Sequence, residues 1–82
     1  MNKSQALELL NQIAAICQSL NVSGFYTRPI RFVGGDSVEL RLMTSLDGEN
    51  RRKLASIVSG RGLKMVEEKG LVIIYEPSQS TR

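Results

Sequence analysis

The chain contains no histidine, no tryptophan and a single cysteine among its 82 residues. Without histidine it lacks the commonest general base and the commonest metal ligand. Cys17 has no partner for an internal disulfide, no neighbours for a zinc cluster and no base to activate a thiol. Aromatic residues make up only 5%. No apolar run approaches the ~20 residues needed to cross a bilayer. The opening stretch, MNKSQALELLNQ, carries Glu8 and polar side chains where a secretory leader needs an apolar segment, so a cytoplasmic protein is expected. The Gly34-Gly35-Asp36 turn lacks the Lys-Ser/Thr ending of a P-loop, and no GxGxxG pattern occurs. The carboxylates of Asp36, Glu39, Asp47, Glu49, Glu67 and Glu68 are scattered or adjacent rather than gathered around a hard cation. These absences argue against an enzyme, a metal centre and a bound cofactor. No motif names an activity.

What is present is an ordinary globular composition, 41% apolar and 23% charged, with a net charge of +3. The size predicts one domain, residues 1–77, with a loose polar tail over 78–82. So small a chain buries little core, and self-association into a homo-oligomer is a common remedy. The positive excess lies in the middle of the chain, from Arg28 to Lys69, a mild pointer to an anionic partner.

Residues 3–20 have helical periodicity, with Ala6, Leu9, Leu10, Ile13, Ile16, Cys17 and Leu20 on one stripe. Asn2 and Gln5 suit a capping box, and Cys17 reads as a small buried thiol. Residues 25–33 read as a strand in which Pro29 marks the start, a bulge or an edge. Residues 37–43 alternate cleanly, with Val38, Leu40 and Leu42 on one side and Glu39 and Arg41 on the other. A three-residue turn at Gly34-Gly35-Asp36 would set 32 opposite 38 and 30 opposite 40, gathering Ile30, Phe32, Val38, Leu40 and Leu42 on the inner face. Residues 48–59 read as a second helix, capped by Asp47 and packed through Leu54, Ile57 and Val58. Residues 63–68 and 71–76 form a second hairpin, closed by a tight Lys69-Gly70 turn or a longer loop from Glu67.

Residues 30–42 align without a gap on residues 63–75, although only Val33 and Val66 are identical. The chain thus reads α-β-β-α-β-β. The expected fold is α+β: a two-layer sandwich with a four-stranded antiparallel sheet and two helices on one face. Leu71-Val72-Ile73-Ile74-Tyr75 is apolar on both faces, as in a central strand. That favours the order third, fourth, first, second, unless the second hairpin meets another copy at a dimer seam. The αββαββ order and Leu46-Asp47-Gly48-Glu49 look like fragments of the LAGLIDADG homing endonucleases. In that family the acidic motif closes a helix before a strand, whereas here it follows a strand and opens a helix, so no membership follows.

Two surfaces stand out. Arg51, Arg52 and Lys53 sit in the first turns of the second helix, against the usual dipole preference, where free N–H groups and guanidinium forks suit a phosphate. Arg31, Arg41 and Lys64 are expected on the outer sheet face, with Phe25 and Thr27 beside them if the first strand is long. With Arg61, these residues make nucleic acid the first ligand expected of a non-enzymatic binding or regulatory module. The alternative is a protein-interaction subunit that assembles through the edge of the second hairpin.

Overall fold

In a computed structural model, six elements follow the expected order: α1 (Lys3–Ile16), β1 (Gly24–Phe32), β2 (Gly35–Met43), α2 (Gly48–Gly60), β3 (Lys64–Glu68) and β4 (Leu71–Tyr75). The structure describes residues 1–32 and 35–77. The expected tail (78–82), part of the first turn and the side chains of residues 31–36 lie outside the described residues.

Both helices start where their caps dictate. The Asn2 side chain accepts the Gln5 N–H (2.8 Å), and Gln5 accepts the Asn2 N–H (2.9 Å). At α2 the Asp47 carboxylate accepts the Asn50 N–H (2.8 Å). α1 ends at Ile16, four residues short of the expected span. Ser19 and Asn21 are weak helix formers, and the Ser19 hydroxyl and the Asn21 carbonyl take polar partners across the fold instead. The Asn50 amide donates to Ser19 Oγ (3.2 Å), and Thr44 Oγ1 donates to the Asn21 carbonyl (2.8 Å). The end of the expected helix is therefore a loop tied to the β2–α2 connection.

The sheet is antiparallel throughout, and both helices pack on the same face. Its order is β1-β2-β4-β3, not the expected 3-4-1-2. β4 is central, as its two-sided apolar sequence requires. Its inner neighbour is β2, because β1 carries Pro29, which cannot complete a ladder on both sides. Pro29 thus lies on an edge strand. The opposite edge, β3, is short and bears Lys64, Glu67 and Glu68. Both edges are poor templates for a further strand.

The first hairpin also departs from the expected register. Phe32 pairs with Gly35, Pro29 with Val38, Thr27 with Leu40 and Phe25 with Leu42. Only residues 33–34 connect the strands, and the three-residue turn at Gly34-Gly35-Asp36 is not used. Directly paired residues share a face. Phe25, Thr27 and Pro29 therefore join Val38, Leu40 and Leu42 on the helix side, while Ile30 lies on the open side with Tyr26 and Arg28. The apolar pattern of β1 was a weak guide because α1 packs mainly on β2 and α2 on β3, leaving the inner side of β1 poorly covered. Phe25 is 47% exposed there.

The second hairpin closes with the tight turn: Glu68 pairs with Leu71, and Gly70 has φ +68°. The αββ unit does occur twice. The gapless sequence alignment is nevertheless out of phase, since it matches inward Leu40 with outward Ile73. The two units meet along β2 and β4, with Leu40 opposite Ile74 and Leu42 opposite Val72. These four side chains form the core with Leu9, Ile13 and Leu54. Met1 is also buried beside β2, its carbonyl accepting the Val38 N–H (2.9 Å) and the Ser37 hydroxyl (2.9 Å). Among the described residues no helix is long and apolar enough to cross a membrane.

Candidate functional site

The basic residues singled out in the sequence do not form one patch. Arg51, at the start of α2, is spent on architecture. Its guanidinium forks onto Glu67 of β3 (Nε to Oε2 2.6 Å, NH2 to Oε1 3.0 Å) and also donates to the Leu46 carbonyl (3.1 Å). This staple joins the helix layer to an edge strand. The Arg51 hydrogen bond holds the Glu67 carboxyl below its ordinary pKa, and the same contact raises that of Arg51. Lys53 pairs with Glu49 one turn earlier (3.3 Å), and Arg52 is exposed with no ion pair among the described residues. Arg52 and Lys53 together line a groove of about 460 Å³ with Ile16, Glu49, Ser56 and Ile57. Arg61 caps the end of α2 and donates to the Gln12 side chain (2.8 Å).

The other group lies on the opposite layer. Arg41 is on the open sheet face, held by Glu39 (Nε to Oε1 2.7 Å) and donating to the Tyr26 hydroxyl (3.4 Å). Its guanidinium carbon lies 5.9 Å from the Tyr26 ring centre, within cation–π reach. Hydrogen bonds to Tyr26 and then Glu39 raise the Arg41 pKa further. Lys64 is exposed at the start of β3 on the same face. The Arg31 side chain lies outside the described residues; its backbone pairs with Asp36.

Sequence reasoning missed three features. Tyr26, not Phe25, is the β1 aromatic on the open face, a consequence of the hairpin register, and Tyr75 of β4 shares that face. Arg28 is 61% exposed on that face, with its guanidinium 4.0 Å from Glu39. Asn50 is buried to 1% exposure, and its donors reach Ser19 and Asp47 while Oδ1 has no partner among the described residues. A polar residue three positions after an N-cap gives no sign of burial. The open face is also apolar in places, since Tyr26 (41%), Met43 (43%) and Val66 (40%) all project from it.

A second groove, about 570 Å³, runs between α1 and the start of β1, with Leu10, Ala14, Leu20 and Phe25 in a lining that has no charged residue. Cys17 lies at its edge, buried to 2% exposure. Burial pushes the thiol pKa up despite Lys53, so the thiol stays protonated. Among the described residues no three His, Cys, Asp or Glu side chains gather to hold a metal ion. Comparison with family models, curated proteins and solved structures finds no match for this chain.

Proposed function

We propose that the protein is a small non-enzymatic binding module whose ligand is nucleic acid, held through backbone phosphates. The observation that carries this reading is the fate of its cations. Arg51 and Arg41 are committed to carboxylates, whereas Arg52 and Lys64 stay exposed and Arg28, 61% exposed, meets Glu39 only at 4.0 Å, on a chain of net charge +3. Lys and Arg at a surface neutralise phosphates and release counterions, so binding should weaken steeply with salt.

The test is fluorescence anisotropy of labelled DNA and RNA, single- and double-stranded, at low and moderate salt. Binding is expected at low salt, with a slope that counts the phosphates engaged. The double variant Arg52→Glu/Lys53→Glu probes the helix layer and Arg28→Glu/Lys64→Glu the sheet layer. Arg51 is left intact, because reversing it would break the staple to Glu67. A flat response at low salt for every nucleic acid would sink the reading.

A protein-interaction subunit is the second reading. It is favoured by the three apolar side chains exposed on one sheet face, not by the hairpin edge, where Lys64, Glu67 and Glu68 discourage strand addition. Ile74 lies in the core, so a lysine there tests the fold. Val66→Glu is the variant that tests assembly, read by light scattering.

A further inference from the structure

The open sheet face is ordered in rows. Tyr26 pairs with Arg41, Arg41 with Ile73 and Ile73 with Val66, so these four side chains form one line across all four strands. At ~4.8 Å per strand the line is about 14 Å long. It consists of an exposed phenol ring, a guanidinium whose charge is balanced by Glu39, the covered Ile73 (8% exposed) and the exposed Val66. One step further along the strands, ~7 Å away, Arg28 stands opposite Glu39 in the first hairpin and Lys64 opposite Tyr75 in the second. A cation therefore marks each outer strand on the same flank of the apolar line. On the other flank, Met43 faces Gly24 and Leu71 faces Glu68.

Resting on the nucleic-acid reading above, we infer that this face binds single-stranded nucleic acid. Bases lie on Tyr26 and Val66, the exposed ends of the line, with Arg41 and the covered Ile73 between them, and phosphates reach Arg28 and Lys64. The argument is one of chemical match. Unpaired bases expose π faces that seek flat apolar or aromatic partners, while their phosphates seek cations alongside. A duplex hides its base faces and presents two phosphate strands, for which a sheet with two flanking cations and an apolar centre is poorly equipped. The face carries one positive charge in excess, counting Arg28, Arg41 and Lys64 against Glu39 and Glu68. Glu39 improves the platform, because it removes the net charge of Arg41 while leaving its guanidinium against Tyr26.

The experiment titrates the full chain with labelled oligothymidylate, oligouridylate and a mixed-sequence duplex at low salt. The single strands are expected to bind more tightly than the duplex. Tyr26→Ala should weaken them roughly 5- to 150-fold, the range for loss of one stacked base. Tyr26→Phe should retain most of the affinity. Val66→Glu, at the far end of the line on an exposed edge position, gives the same test should Tyr26→Ala fail to fold, and it too should cut binding. No binding of any nucleic acid overturns both this inference and the proposed function. Equal binding of duplex and single strands, unaffected by Tyr26→Ala or Val66→Glu but lost in Arg52→Glu/Lys53→Glu, overturns this inference alone. Self-association that Val66→Glu dissolves, without oligonucleotide binding, assigns the face to a second copy and overturns both.

Discussion

Ile73 and Ile74 are consecutive, identical side chains that the sheet sends to opposite faces, and truncating each to alanine tests the face assignment. Ile74 is fully buried and paired with Leu40 on one side and Met65 on the other. Its removal leaves a cavity closed by the helix layer, and both the lost transfer energy and the cavity count, about 4 kcal/mol in all. Ile73 is 8% exposed beneath its neighbours on the open face. Water can enter the space it vacates, so only the transfer term is lost, about 2 kcal/mol. A domain of this size holds roughly 4–12 kcal/mol in total. The gap of about 2 kcal/mol between the variants corresponds to a difference in Tm on the order of 10 °C. Urea unfolding followed by circular dichroism reads both losses on one scale. Function should order the other way: Ile73→Ala weakens oligonucleotide binding, and Ile74→Ala, kept folded by cooling, does not. Equal destabilisation, or the larger loss at Ile73, would refute the face assignment and the line of side chains derived from it.

The Arg51–Glu67 staple predicts a pH dependence. Glu67 has a lowered pKa in the folded state, so its contribution is complete above the ordinary carboxylate value and is lost as pH falls through the folded one. Thermal melts should show Glu67→Gln less stable than the parent at neutral pH, with the difference closing at acid pH; a difference that persists there would contradict the link. Asp47→Ala removes the α2 cap and should cost about 1 kcal/mol by urea titration. Two glycines should respond with opposite signs. Gly70→Ala forces a Cβ into a φ of +68° and should destabilise by ~1 kcal/mol, whereas Gly48→Ala, in the first turn of α2 with open space around it, should stabilise by ~0.5 kcal/mol.

The elements were legible because each is written locally. Asn2 with Gln5 and Asp47 with Asn50 mark helix starts, and two-sided apolarity puts β4 in the centre, whereas Pro29 leaves start, bulge and edge open and the expected order sets β1 inside the sheet. What failed was information that is not local. The first hairpin register depended on a connection at residues 33–34 and on a strand whose inner side is barely covered, so its side chains did not have to choose faces by polarity. That one slip exchanged Phe25 for Tyr26 on the open face. Likewise Arg51 looks like a free cation until folding brings Glu67 to it, and Asn50 looks solvated until the α1–β1 loop covers it.

The seam between the two αββ units also has a kinetic consequence. Each hairpin closes between neighbours in sequence, and each helix is local by nature. Among the described residues, the pairing of β2 with β4 is the strand contact that spans a long stretch of chain, with Leu42 meeting Val72 and Leu40 meeting Ile74. Closing a loop of roughly 30 residues costs on the order of 3 kcal/mol of chain entropy before any contact is made. Folding should therefore wait on this zipper. Truncations at Leu40 and Val72 should slow refolding, while truncations at Tyr26 and Val66, out on the edge strands, should chiefly speed unfolding.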